Sequence, residues 1–360
     1  MVSSELEQCV MTSSTPFRFI DLFAGIGGFR FGLEPLGGEC VYTAEWDRFA
    51  RQTYAAWHGE DPQDTTRFAS DITEVPPADV PDHEVLAAGF PCQPFSLAGV
   101  SKKNSLGREH GFRDPTQGTL FFNIKEIARR KRPAVLLLEN VKNLLSHDRG
   151  RTWETIDEAL RSIDYVPHVQ VVDARHWVPQ HRERVLIVAF DADRVPEELP
   201  FAFPAPPDAA PTLGEILEPD DVPDKYTVGP GTWATLERHK AHHAAAGNGF
   251  GYSIAGPDDV ARTISARYHK DGAEILVRQP DRPRPRRLTP IEAQRLMGFD
   301  EASLGRPAGS LPIVVSDTQA YRQFGNAVVP AVVNHVAAAA LEHAAPFVDL
   351  AVLVTGEAAA

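Results

Sequence analysis

The sequence predicts an α/β fold built on a parallel sheet, and three observations predict it. Short apolar runs alternate with stretches of helical periodicity through the first half of the 360-residue chain. The first run, Phe17–Leu22, ends on a glycine-rich turn, Ala24-Gly25-Ile26-Gly27-Gly28, that opens a helical stretch. Two later runs stop at residues that carry chemistry, Cys92 and Glu139, at the carboxyl ends of strands, where ligands of open α/β sheets bind.

Taken in order, the helix after the glycine turn runs to about residue 36, and a second strand is expected at 40–44. An aromatic-rich helix (49–57) and a proline-rich link follow, with Asp71-Ile72 near the end of a third strand. A short strand at 85–88 then enters Gly89-Phe90-Pro91-Cys92. Residues 97–117 are polar and punctuated by glycine; a loop of that length in a compact domain signals function or disorder. A helix at 119–130 leads to a strand at 134–138 that ends on Glu139-Asn140, and further strands are expected at 165–172 and 185–190. Residues 196–224 are rich in proline and acidic groups and read as a linker or surface crossing. Residues 225–287 carry short polar-aromatic segments with little helical periodicity, the texture of a second, irregular unit. A helix returns at 289–297, with Thr289 as its N-cap and Pro290 at its first position. A final helix is expected at about 330–341.

Composition narrows the function classes. The chain is 43% hydrophobic and 24% charged, ordinary for a soluble globular protein. No uncharged apolar run reaches the ~18–20 residues that span a bilayer. The alanine-rich tail comes nearest, but His335, Glu342, His343 and Asp349 interrupt it. Residues 1–16 read as a loose polar extension without the pattern of a secretory signal, and Met1 and Met11 are both open as the start. Three cysteines, Cys9, Cys40 and Cys92, form no CxxC pair, which argues against a disulfide framework or a metal site and fits a reducing cytoplasm. The net charge of −13 argues only weakly against a nucleic-acid partner, because local patches govern phosphate contact. Two basic stretches, 125–132 and 278–287, read by themselves as solvated faces.

Three constellations carry chemistry. The glycine turn lets a backbone approach a ligand closely, and Glu45, ending the second strand about twenty residues on, is placed to grip a ribose diol. By itself this fits a nucleoside cofactor or merely a tight turn. Cys92, framed by Pro91 and Pro94, sits at a sheet edge, and the same edge should carry Glu139. A carboxylate directly after three leucines is partly desolvated, which raises its pKa and suits proton donation. In Pro179-Gln180-His181-Arg182-Glu183-Arg184, alternation puts Arg182 and Arg184 on one face as a paired cationic surface.

The ordered set DLFAGIGG, AEWD, SDI, GFPCQPFS, ENV, PQHRERV, RRLTPIEAQRLMGF and YRQFGNAVVP resembles the DNA (cytosine-5)-methyltransferases of bacterial restriction-modification systems. The likeness spans residues 17 to about 341, apart from the region between Asp191 and Lys225. It implies a Rossmann-like S-adenosylmethionine-dependent methyltransferase domain with a smaller, irregular β-rich target-recognition domain. The expected division is an extension at 1–16, a catalytic and cofactor-binding domain at 17–193 plus about 319–345, target recognition at about 194–287, and a connecting segment at 288–318. By the same resemblance Cys92 adds to C6 of a flipped cytosine, Glu139 contacts N3 and the exocyclic amine, Arg184 holds the base, and Arg182 supports Glu139 and nearby backbone. Phe23, Gly25 and Gly28 surround the methionine portion of S-adenosylmethionine, Glu45 its ribose and Trp46 its adenine. Asp71 and Ile72 complete the adenine side, and Pro91, Leu120, Asn326 and Val328 line the remainder.

The resemblance also implies double-stranded DNA as partner, read by Gln93, Ser96, Asn248, Thr263, Arg267, His269 and Lys270 at a CCGG- or CCWGG-like site. A loop at 97–117 would close over the DNA. The enzyme is expected to act as a cytoplasmic monomer, at the nucleoid, protecting host DNA from a cognate endonuclease that acts independently. Three rivals are weaker. A tRNA cytosine methylase would have a much smaller recognition region; a non-catalytic DNA-binding module would not need Cys92, Glu139 and Arg184 together; a nicotinamide oxidoreductase leaves PCQ and ENV unexplained.

Overall fold

A computed structural model of the chain describes residues 17–91, 119–219, 222–247 and 251–348. Its strands are β1 (Phe17–Leu22), β2 (Gly38–Ala44), β3 (Phe68–Ala69), β4 (Val85–Gly89), β5 (Val135–Val141), β6 (Tyr165–Asp173) and β7 (Glu183–Asp191). They form one sheet in the order β3-β2-β1-β4-β5-β7-β6. The helices are α1 (Gly28–Leu33), α2 (Arg48–His58), α3 (Thr119–Lys131), α4 (Arg151–Arg161), α5 (Pro230–Ala245), α6 (Pro290–Leu296), α7 (Asp317–Asn326) and α8 (Pro330–Ala344).

The pairs among β1 to β5 are all parallel, but β7 runs antiparallel to both β5 and β6. The expected α/β fold on a parallel sheet is present, with β7 as its one reversed strand among the described residues. The reason is connection length. Residues 174–182 hold a single 3-10 turn, Ala174–His176, whereas a parallel return needs a crossover of a dozen or more residues.

Strand alternation divides the interior into two layers. Phe19, Ala87, Leu137 and Val188 face one core, with Phe29 and Phe31 of α1 and Val333, Val336 and Ala340 of α8. Ile20, Leu86, Leu136 and Ile187 face the other, against Phe121, Ile124 and Ile127 of α3 and Ile156 and Leu160 of α4. Phe201, Leu213 and Ile216 join the first core, so the proline-rich stretch at 196–219 packs on the protein and is no free linker.

Residues 251–287 supply a small sheet of β8 (Ile254–Ala255), β9 (Leu276–Val277) and β10 (Arg286–Arg287), ordered β10-β9-β8. The helix α5 beside it departs from the sequence expectation of little helix in this region. Leu236 is its one fully buried residue, so no apolar stripe marks it in the sequence. The helix start at Thr289 is as expected: its hydroxyl accepts the Glu292 N–H at 3.1 Å while the Glu292 carboxylate accepts the Thr289 N–H at 2.8 Å.

The two basic runs are not simply solvated faces. Arg129 pairs with Glu126, Lys131 with Asp82, and Arg132 with Asp191 and Asp193. Arg282 pairs with Asp224, Arg284 donates to the Val228 carbonyl, and Arg286 makes a two-pronged buried pair with Glu292 at 2.6 and 2.8 Å.

The chain's last helix returns to its first. Asn334 donates to the Gly32 carbonyl at 2.9 Å, and an aromatic cluster of Phe31, Trp57, Phe299 and Phe324 joins α1, α2 and α7. A Cβ on Gly32 would lie 2.5 Å from Val333 Cγ1 and 2.9 Å from the Pro330 carbonyl oxygen. Alanine favours a helix by ~1 kcal/mol over glycine, yet the overpacking should win. Gly32→Ala is therefore expected to lower stability by about 1–3 kcal/mol in urea unfolding. A midpoint equal to or above wild type would contradict this packing.

Candidate active site

One edge of the sheet collects the site. The carboxyl ends of the parallel strands β1, β2, β4 and β5 lie there, releasing Phe23, Glu45, Phe90 and Lys142 in turn. Because β7 is reversed, its beginning, with Arg182 just before it and Arg184 within it, meets the same edge.

Glu139 lies inside β5, which continues to Val141, rather than at its end. It stands opposite Gly89 of β4 and Leu186 of β7, and Arg184, two residues from Leu186, shares its face. Arg184 Nε sits 3.1 Å from Glu139 Oε1. Burial pushes the Glu139 carboxyl above the usual range, with Arg184 and then Arg182 pulling the other way. The expected raised pKa is thus present.

Asn140, which the sequence reading left without a role, is buried and donates to the Phe90 carbonyl at 2.9 Å, while its side-chain oxygen accepts the Val141 N–H. That bond fixes the backbone one residue before Pro91 and two before Cys92. Its only sequence signal is the polar residue following Glu139 after a run of leucines. Cys92, Gln93, Ser96 and Asn248, and the loop at 97–117, lie outside the described residues.

Arg182 corrects the picture of a paired cationic surface. It is 1% exposed, and its guanidinium donates to the carbonyls of Ile264 (3.1 Å), Gly325 (3.0 Å) and Ala327 (2.6 Å). Its own N–H donates to Asp173. Next to it Gln180, fully buried, donates to the Leu296 carbonyl and accepts the Ile264 N–H. Both side chains bolt residues 264 and 325–327 to the start of β7.

The glycine turn makes a cradle with one open face. Phe23, Gly25 and Gly27 all hold positive φ, at 57, 58 and 88°. A Cβ on Gly27 would strike His58 Nε2 at 2.2 Å, and one on Gly28 would strike the Val328 carbonyl oxygen at 2.6 Å. At Gly25 a Cβ would meet nothing within 4 Å. Gly28 and Val328 are therefore packed on each other, and Gly25 is where a ligand can approach. Glu45 follows β2 and accepts the Gly25 N–H (2.8 Å) and the Asp47 N–H (2.7 Å). Burial raises its pKa. Beside it Trp46 is 81% exposed, an uncovered aromatic face. Asp71 caps the 3-10 turn Ile72–Glu74 by accepting from Thr73, with Ile72 buried beneath. Pro91 and Asn326 are exposed and Leu120 is half-buried.

Among the residues assigned to DNA, Thr263 donates to the His181 carbonyl, beside Arg182. Arg267 and Lys270 are exposed, whereas His269 is half-buried and near the Ala266 carbonyl at 3.1 Å. The turn that carries them is pinned by a close approach: a Cβ on Gly325 would fall 2.2 Å from Ala266 N.

Comparison with known proteins shows the family and the fold. The family model for C-5 cytosine-specific DNA methylase matches residues 17–342. The chain is 46% identical to a DNA-cytosine methyltransferase of Escherichia coli over 89% of this chain and 76% of that protein. It is 45% identical to the type II methyltransferase M.NlaX of Neisseria lactamica, over 89% and 95%. The crystal structure of S. pombe Dnmt2 methyltransferase shares the fold, with a TM-score of 0.68 over 91% of this chain and 98% of that one at 19% identity.

Beneath the cradle Asp21 is fully buried and neither carboxylate oxygen has a hydrogen-bond partner. Burial pushes its pKa up to about 8, with Arg30 only partly opposing. The unfolded chain gives up this proton near pH 4, whereas the folded protein keeps it until about pH 8. Its contribution to stability is thus present at low pH and lost as pH rises through about 8. Asp21→Asn should remove that loss, gaining a few kcal/mol over wild type between about pH 5 and pH 9 in urea unfolding. A difference that stays constant with pH would refute it.

Proposed function

The chain belongs to the C-5 cytosine-specific DNA methylases and is a DNA (cytosine-5-)-methyltransferase, and on that premise we propose that it methylates a flipped cytosine in double-stranded DNA through Cys92 with S-adenosylmethionine. The observation that carries this reading is the Glu139–Arg184 pair, held at 3.1 Å on the edge where Asn140 fixes the backbone leading to Cys92.

Cytosine C6 is unreachable within a stacked duplex, so the base leaves the helix at a cost of a few kcal/mol. The Cys92 thiolate then forms a bond to C6, and Glu139, whose carboxyl is raised above its usual range by burial, gives a proton to N3 so that the electron pair collects at C5. Arg184 holds the Glu139 carboxyl in place and adds positive charge beside the ring. Arg182 acts at one remove, by clamping the backbone around the pocket. Once C5 is methylated, a water molecule takes the C5 proton, the C6–S bond breaks to release the Cys92 thiolate, and N3 returns its proton to Glu139, which restores the aromatic ring.

S-adenosylmethionine supplies the methyl group as an electrophilic carbon. Its site would be the cradle: the open face at Gly25, the Glu45 carboxylate for the ribose diol and the uncovered Trp46 ring for the adenine. Phe23, Gly28, Asp71, Ile72, Pro91, Leu120, Asn326 and Val328 complete the surround. Residues 194–287 form the target-recognition domain, with 17–193 and about 319–345 the catalytic domain and 288–318 between them. Thr263, Arg267, His269 and Lys270, with Gln93, Ser96 and Asn248, meet DNA at a CCGG- or CCWGG-like site, because segments 225–227, 247–252 and 262–277 resemble recognition regions of enzymes reading such sites. The enzyme works as a cytoplasmic monomer and shields host DNA from an endonuclease of the same specificity.

Duplex DNA with 5-fluorocytosine at the target tests this, since fluorine at C5 cannot leave as a proton and the enzyme stalls on the base. Wild type with S-adenosylmethionine should give a complex that survives a denaturing gel. Cys92→Ala should give none, and Glu139→Gln should form it about 10²–10⁴-fold more slowly. Failure with every CCGG and CCWGG duplex would overturn the site, and an adduct on tRNA alone would overturn the substrate.

A further inference from the structure

Two histidines on α5 have the geometry of a chelate. His239 and His243 are one helical turn apart and so share a face, the spacing by which helices present two imidazoles to one metal. Their Nε2 atoms are 3.2 Å apart. With metal–nitrogen bonds of 2.0–2.1 Å, two imidazoles on one ion stand about 2.9 Å apart at a right angle and about 3.3 Å apart at the tetrahedral angle. The observed separation falls between these limits, so the two nitrogens already stand at the distance that one ion bridges. We propose that His239 and His243 bind a divalent transition-metal ion of the nickel, copper or zinc class through their Nε2 atoms.

The chemistry and the surroundings agree. Each imidazole must offer an unprotonated Nε2, so the proton shared across the 3.2 Å contact passes to an Nδ1 by a change of tautomer. Imidazole nitrogen selects borderline transition metals, whereas calcium and magnesium need oxygen ligands that this pair lacks. Both cations flanking His239 are engaged elsewhere: Arg238 donates to the Thr235 hydroxyl at 3.2 Å, and Lys240 has its ammonium 4.1 Å from the Tyr252 ring centre. His242 packs edge-on against His243 with ring centres 5.6 Å apart and takes no part in the Nε2 contact. The site uses none of the residues of the methyl-transfer centre. Closing one turn of α5, which buries only Leu236 fully, the ion would hold the helix in the region proposed to read DNA.

Calorimetric titration of the full chain with nickel chloride tests the proposal. Each substitution to alanine falls on a helix, where alanine favours the fold. Wild type should bind nickel at this site, and His239→Ala and His243→Ala should each weaken that binding by about tenfold or more, whereas His242→Ala should leave it unchanged. Because a cysteine thiolate could also take nickel, the comparison is with wild type. Copper(II) spin resonance should show coupling to two imidazole nitrogens that each of the two variants reduces. Equal nickel affinity in wild type, His239→Ala and His243→Ala would overturn the chelate. So would a loss in His242→Ala as large as in the other two.

Discussion

The buried guanidinium of Arg182 holds the molecule together at the point where its parts meet. A charge in the interior needs polar partners, and here three backbone carbonyls, from Ile264, Gly325 and Ala327, accept from its two terminal nitrogens, while its Nε has no partner among the described residues. Those carbonyls belong to two segments far apart in the chain, one in the small-sheet region and one near the end. Gly325 completes the constraint from the other side, because any side chain there would occupy the backbone of Ser265 and Ala266. The edge of the large sheet, the turn with Arg267 and Lys270, and the loop before α8 are thereby fixed relative to one another.

Burial also sets the chemistry. Burial raises the Glu139 carboxyl above its usual range, and Arg184 and then Arg182 oppose that shift. Asp21 shows what burial does with less opposition: its proton is held to about pH 8. The two carboxyls lie on the same side of the sheet, Asp21 under the glycine cradle and Glu139 in the proposed base pocket. Their difference is the proximity of a paired arginine, 3.1 Å away for Glu139.

The glycines of the cradle divide their work in a way that a motif does not reveal. Gly27 and Gly28 make room for His58 and for the Val328 carbonyl, while a side chain at Gly25 would meet open space. Gly32 continues the theme by letting α8 close onto α1. The tight packing that returns the C-terminal helix and the open face that a ligand can use are built from one short run of sequence.

Much of this was legible in the residues alone. Strand limits at 17–22, 85–88 and 185–190, the capped helix at Thr289 and the raised pKa of Glu139 followed from local rules: apolar runs, capping chemistry and a carboxylate after three leucines. The helix α5 was not, since it buries too little to leave a periodic trace, and neither was the burial of Arg182, whose partners lie about 80 and 145 residues away in the chain. The reversal of β7 was the decisive unknown. By itself the sequence determined which side chains could do the chemistry; had β7 run parallel, Arg184 would have emerged at the opposite edge from Glu139. Tertiary structure alone put them face to face, because nine residues between β6 and β7 are too few to carry the chain back across the sheet, so it had to turn and pair antiparallel.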